Sequence, residues 1–245
     1  MKARSEPLGP ERFRVRALPV EKGLSVGRER STIQGKEPAP PLRRKGQKEA
    51  SPVKICVFGA SSDALAKPYL DDARELGRLL AREGHGLVFG GGARGLMGAC
   101  AEGAAELGGE IIGVAPRFFD EPGILFSGCS RFVFTETMAE RKAAMAEESQ
   151  AIIALPGGIG TFEEFFEMLT LKQLGRHRKP MALLNTLGYY EPLTALMERA
   201  AEDRFLSRRC FALYGLCATP GEALRHVLSE RAPEGGLGKL TEYSP

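Results

Sequence analysis

The sequence predicts a doubly wound α/β fold: a parallel sheet of about seven strands with helices on both faces. Two observations carry this. From Val53 onward, short apolar runs alternate regularly with amphipathic stretches, and three junctions between them carry glycine clusters or helix-capping residues. Strand and helix in alternation build βαβ units, whose crossovers are right-handed and leave the strands parallel.

Taken in order, Lys54–Phe58 (KICVF) reads as a first buried strand, followed by an amphipathic helix over about 67–83. Gly86–Phe89 is the second strand, with a helix over about 95–107. Ile111–Ala115 and Arg131–Phe134 are the third and fourth, and a helix over about 138–149 follows. Ala151–Leu155 leads into a helix over about 161–174, and Met181–Leu184 into one over about 190–203. A weaker strand over Leu213–Ala218 precedes a last helix over about 220–230.

Composition sets the outer limits. The chain has 245 residues, 43% hydrophobic and 27% charged, with no tryptophan and a net charge of +3. That charge is unevenly placed: residues 1–50 hold 13 Lys and Arg against six Glu, so the rest of the chain is net acidic. The basic character belongs to an N-terminal extension rich in Arg, Pro and Glu, with KEPAPPLRR at 36–44, which lacks the apolar content to join a core. The expected organisation is this extension over 1–50, a folded domain over 51–232 and a short tail over 233–245. An acidic folded part gives no reason to expect a nucleic-acid partner.

No apolar run approaches the ~20 residues of a membrane helix, so no membrane partner is expected. The five cysteines (Cys56, Cys100, Cys129, Cys210, Cys217) show no C-x-x-C pairing and read as reduced thiols of a cytoplasmic protein. His85, His177 and His226 lack metal-ligand spacing, and no metal is expected.

In a doubly wound sheet the ligand sits beyond the carboxyl ends of the strands. Three segments there carry chemistry. Gly90-Gly91-Gly92-Ala93-Arg94-Gly95-Leu96-Met97-Gly98 follows the second strand; a tight turn alone would use some of these glycines, but a helix start offering free N–H groups also suits a phosphate. The segment matches G-x-G-x-x-G. A dinucleotide site would place that pattern after the first strand and an acid at the end of the next, where Ile111–Pro116 has none. Pro156-Gly157-Gly158-Ile159-Gly160-Thr161-Phe162-Glu163-Glu164 is a second nest of donors at a helix start. Thr161 and Glu164 also have capping-box spacing, which would make Thr161 the N-cap and Glu164 residue N3. On that helix Phe162, Phe165, Phe166 and Leu169 form the core stripe, and Glu164 is expected on the opposite side, pointing into the cleft. Thr137-x-x-Glu140 is another capping box, placing Arg141 and Lys142 in the first turn of a helix that begins at the same edge. An arginine there is either a solvated charge or a ligand-facing one.

These segments together resemble the Lonely Guy (LOG) family, whose members are often labelled lysine decarboxylases. The resemblance runs from about Lys54 to about Val227. It includes VFGASS at 57–62, GGGARGLMG at 90–98, GVAPRF at 113–118, Met138 with Glu140-Arg141-Lys142-Ala143, PGGIGTFEE at 156–164 and LKQLG at 171–175. Where the family has a histidine between Met138 and Glu140, this chain has Ala139. The resemblance implies a Rossmann-like fold and a cofactor-free phosphoribohydrolase. It would convert cytokinin riboside 5′-monophosphates, or AMP, to free base and ribose 5-phosphate, as a homodimer. It implies Arg141 and Glu164 as the catalytic pair, with Gly91, Gly92, Gly95, Met97, Met138, Lys142, Gly157, Gly158, Gly160 and Thr161 binding the nucleotide. A carboxylate beside a ribose that develops positive charge is chemically apt. The alternative from another class is a non-catalytic carrier or sensor of a phosphorylated pterin or nucleotide, for which the glycine loops would serve equally. Pyridoxal-dependent decarboxylation would need a Schiff-base lysine with an acidic partner, and no such constellation stands out.

Overall fold

The computed structural model describes residues 51–229; the extension expected over 1–50 and the tail over 233–245 lie outside the described residues. Among the described residues there are seven strands and six α-helices, alternating except between the third and fourth strands, which a 3-10 turn at Arg117–Phe119 joins. The strands are β1 (Lys54–Phe58), β2 (Gly86–Phe89), β3 (Ile111–Pro116), β4 (Arg131–Thr135), β5 (Ala151–Ala154), β6 (Met181–Leu184) and β7 (Gly215–Cys217). The helices are α1 (Lys67–Arg82), α2 (Gly95–Glu106), α3 (Met138–Glu148), α4 (Ile159–Gln173), α5 (Glu191–Glu202) and α6 (Pro220–Ser229).

All ladders are parallel, in the order β4-β3-β2-β1-β5-β6-β7. The chain winds outward from β1 to β4, then returns to the other side of β1 to lay down β5. The winding direction therefore reverses between β1 and β5, paired through Ile55↔Ala151 to Phe58↔Ala154. Such a switch point opens a crevice at the carboxyl ends of the strands, because the loops on either side of it leave in opposite directions.

Alternation along the strands feeds two cores. Ile55 and Val57 of β1 face a cluster with Leu76 and Leu80 of α1, Leu96 of α2 and Leu224 of α6. Cys56 and Phe58 face the other, with Met145 of α3, Phe165 and Leu169 of α4 and Met197 of α5. Burial on both faces explains why the strands read as near-continuous apolar runs rather than alternating ones.

Several expectations need correction: the fourth strand runs on to Thr135 and the fifth stops at Ala154. The seventh strand is shorter than Leu213–Ala218, because Arg208–Leu213 forms a 3-10 helix and the Leu213 carbonyl accepts from Lys172 Nζ at 2.7 Å. The third strand continues through Pro116, opposite Thr135, at the end of the ladder. Helix α4 begins at Ile159 with Gly158 as N-cap, two residues before the expected start, so Thr161 lies inside the helix and caps nothing.

Candidate active site

Helix α3 starts as its sequence dictates. Thr137 Oγ1 accepts from the Glu140 N–H at 3.1 Å, and Glu140 Oε2 accepts from the Thr137 N–H at 3.4 Å, closing the capping box. That fixes where Arg141 emerges. It is not a solvated charge: it is 6% exposed, with Nε donating to the Val114 carbonyl of β3 at 3.1 Å and Nη1 donating to Glu164 Oε1 at 2.8 Å. Its Nη2 passes the Gly90 backbone so closely that a Cβ on residue 90 would lie 1.9 Å away. Among the described residues Nη2 meets no hydrogen-bond acceptor.

Glu164 is not on an outward face. With α4 starting at Ile159 it occupies the second turn, flanked at i−3 and i+4 by buried Thr161 and Met168, and its side chain is 12% exposed. Arg141 reaches this flank from α3, so α4 has a partner beyond the phenylalanine stripe. Of that stripe Phe165 and Leu169 are buried, while Phe162 and Phe166 are half-buried. Burial pushes the Glu164 carboxyl above its ordinary pKa; Arg141 opposes this without cancelling it. Beneath the pair, the Cys56 thiol is pushed up by burial first and by Glu164 second, so it stays protonated.

The two glycine loops differ in kind. The one at 90–98 is packed against protein. Segment 124–126 clasps it through Ala93 N–H to Ile124 O at 2.9 Å and Phe126 N–H to Gly91 O at 2.8 Å. Gly91 is left-handed at φ +75°, and a Cβ there would sit 2.9 Å from Phe132. Met97 covers the loop, its Cε 3.1 Å from where a Gly92 Cβ would be. The donors expected to be free at the start of α2 are taken: Gly95 N–H by Asp63 Oδ1 at 3.1 Å, Leu96 N–H by Ala60 O at 2.8 Å. An N-terminus whose N–H groups already hold the β1–α1 loop has little left for a phosphate.

The loop at 156–161 is open. Gly158, Ile159 and Gly160 are exposed, and no atom lies within 4 Å of a Cβ placed on Gly158 or Gly160. The N–H groups of Ile159, Gly160 and Thr161 donate to no described residue, as expected for the first turn of a helix without a side-chain cap. Gly157, by contrast, lies under Thr161. Lys142 bridges α3 to α4 through ion pairs with Glu163 and, at 2.6 Å, Glu167. Met138 is exposed at the rim. Arg141, Glu164, Lys142 and the open loop therefore meet at one corner of the crevice, with the packed glycine loop as its wall.

Sequence reasoning missed the supports of the open loop. Tyr189 Oη donates to Gly157 O at 2.5 Å, Tyr190 Oη to Leu155 O at 2.7 Å, and the Ala60 N–H to Pro156 O at 3.1 Å. The available signal was two adjacent tyrosines just past the carboxyl end of β6, next to β5 in the sheet.

Residues 97–227 match the family model described as possible lysine decarboxylase. A probable cytokinin riboside 5′-monophosphate phosphoribohydrolase of Oryza sativa subsp. japonica is 41% identical over 174 residues, covering 71% of this chain and 78% of that protein. A cytokinin riboside 5′-monophosphate phosphoribohydrolase of Rhodococcoides fascians is 40% identical over 171 residues, covering 69% and 86%. Among solved structures, the molybdenum cofactor carrier protein of Chlamydomonas reinhardtii superposes with a TM-score of 0.56 at 26% identity, covering 73% of this chain and 99% of that one. The molybdenum cofactor binding protein of Rippkaea orientalis, at 22% identity and a TM-score of 0.55 over 71% and 94%, shares the fold.

Proposed function

The chain belongs to the cytokinin riboside 5′-monophosphate phosphoribohydrolase (LOG) family, and from that premise we propose that it hydrolyses the N-glycosidic bond of a purine nucleoside 5′-monophosphate. Water adds to C1′ as the bond from C1′ to the base breaks; the electron pair leaves with the base, which takes up a proton, and ribose 5-phosphate remains. The substrate is AMP or a cytokinin riboside 5′-monophosphate, and the setting is the cytoplasm.

The observation that carries this reading is a buried Arg141–Glu164 pair beside an open nest of backbone donors. The N–H groups at 158–161 and the positive end of α4 suit the 5′-phosphate. One helical turn, about 5.4 Å, separates Gly160 from Glu164, so a phosphate in the nest brings the ribose to the carboxylate. Ionised Glu164 stabilises the positive charge that develops on the sugar, and its raised basicity suits it to orient the attacking water. Arg141 holds Glu164 in place and keeps Nη2 for the substrate. Gly91, Gly92, Gly95 and Met97 shape the wall rather than grip the phosphate. Met138 and Lys142 contact the nucleotide from α3.

Incubating the protein with a panel of nucleoside monophosphates and their nucleosides tests the proposal. Free base and ribose 5-phosphate should appear from at least one purine monophosphate, far faster than base appears from its nucleoside. Tight binding without release would favour a carrier, the reading suggested by the solved neighbours; a carrier has no use for a buried carboxylate at the sugar. The homodimer belongs to the same proposal. Ile159, 87% exposed, and Met138, 43% exposed, leave apolar surface beside the site for a second copy to cover, and the mass of the assembly in solution checks it.

A further inference from the structure

Three successive carbonyls leading into helix α4 are each held by a group from elsewhere in the chain: Leu155 O by Tyr190 Oη at 2.7 Å, Pro156 O by the Ala60 N–H at 3.1 Å and Gly157 O by Tyr189 Oη at 2.5 Å. A trans peptide is planar and its C=O and N–H point in opposite directions. The described residues contain no cis bond. Fixing the Gly157 carbonyl inward on Tyr189 therefore fixes the Gly158 N–H outward, into the space where nothing lies within 4 Å of a Gly158 Cβ.

From this geometry we infer that Tyr189 is a positioning residue for the 5′-phosphate: its hydroxyl sets the direction of the first donor of the nest. The inference rests on the nest being the phosphate site. Tyr189 itself is well held. Its ring meets Tyr69 edge-on at 6.1 Å and Tyr190 at 5.0 Å, and its N–H donates to Thr186 O at 3.1 Å. Thr186 is tied in turn to Asp72 of α1, Oγ1 to Oδ2 at 2.6 Å. The loop after β6 thus serves as the rigid backing of the loop after β5.

Tyr190 supplies a matched control. Its hydroxyl makes the same kind of bond two carbonyls earlier, but the peptide it anchors joins Leu155 to Pro156 and has no N–H to aim. Loss of the Tyr190 hydroxyl should weaken the fold without turning a donor; loss of the Tyr189 hydroxyl should do the reverse.

The experiment compares the full chain with Tyr189→Phe and Tyr190→Phe. It measures calorimetric binding of ribose 5-phosphate, KM and kcat on AMP, and thermal melting. Tyr189→Phe should raise the Kd for ribose 5-phosphate and the KM together by roughly five- to tenfold, the scale of a hydrogen bond to a charged group that is weakened but not lost, with kcat falling less. Tyr190→Phe should lower the melting temperature and leave Kd within twofold. An unchanged Kd in Tyr189→Phe, or equal Kd shifts in both variants, overturns the inference. If the unaltered chain fails to bind ribose 5-phosphate, the nest reading and this inference fall together. If it binds but releases no base, only the hydrolytic reading falls, and the Kd comparison still decides the role of Tyr189.

Discussion

Arg141 of α3 and Glu164 of α4 share a 2.8 Å hydrogen bond between side chains that are only 7% and 12% exposed. Removing either partner would leave the other charge buried and uncompensated, and so the pair must be tested with substitutions that keep size.

Arg141→Lys keeps the positive charge but loses the planar fork that reaches Val114 O and Glu164 at once. Turnover should fall tenfold or more. Loss of one charge-assisted bond, about 2 kcal/mol, should lower the melting temperature by roughly 4–8 °C. Turnover and melting curves equal to those of the unaltered chain would show that the fork is dispensable.

The glycines separate into two kinds by what a methyl group would meet. At Gly95, φ +60° and the Ala60 carbonyl 2.5 Å from the Cβ position predict that Gly95→Ala costs about 3 kcal/mol, read from denaturant unfolding. Gly158→Ala and Gly160→Ala meet only open space. Melting should fall slightly at 158, an N-cap where Ala is poorer than Gly, and rise slightly at 160 inside the helix, while the KM for a nucleotide rises roughly tenfold as the methyl group occupies the phosphate's place. A normal KM in both would remove the phosphate from this loop.

The raised Glu164 pKa has a defined sign in stability. When folding raises a carboxyl pKa, the folded state holds the proton longer than the unfolded one, so stability falls as pH rises from the unfolded value through the folded value. Glu164→Gln carries no such titration. The stability of the unaltered chain relative to Glu164→Gln should therefore decline as pH rises above the ordinary glutamate range. A difference that grows in favour of the unaltered chain would mean that Arg141 outweighs burial.

The proposed boundary near residue 50 rests on composition, and deletion tests it. A chain beginning at Ser51 should melt within about 2 °C of the full chain and keep its turnover, because the segment offers little apolar surface to a core. A large loss of either would make the extension part of the working protein.

Much of this was legible in the sequence, for definite reasons. Strands such as Ile111–Ala115 and Met181–Leu184 are buried on both faces and stand out as apolar runs between polar or turn-forming residues. The capping box at Thr137–Glu140 was readable because Thr137 is the N-cap and both of its bonds form, even with the Glu136 N–H sharing Glu140 Oε2. At Thr161 the same spacing misled: Gly158 takes the N-cap, and the helix starts early enough to carry Glu164 into its second turn. Periodicity placed Glu164 opposite the core stripe, and no helical wheel could show that Arg141 of α3 meets it there. The capture of the α2 donors by Ala60 and Asp63, and of the Gly157 carbonyl by Tyr189, joins residues distant along the chain, and no local pattern announces it.

The central claim is that the charge of Glu164, more than its shape, drives cleavage of the glycosidic bond. Glu164→Gln keeps volume and hydrogen bonding, and because Thr161 is not the N-cap, no capping bond is lost. The deciding measurement is its turnover number on whichever purine 5′-monophosphate the unaltered chain cleaves best. A fall of roughly a hundredfold or more, equivalent to about 2.7 kcal/mol, is predicted. Turnover within about threefold of the unaltered chain would contradict the account and leave Glu164 as a structural partner of Arg141.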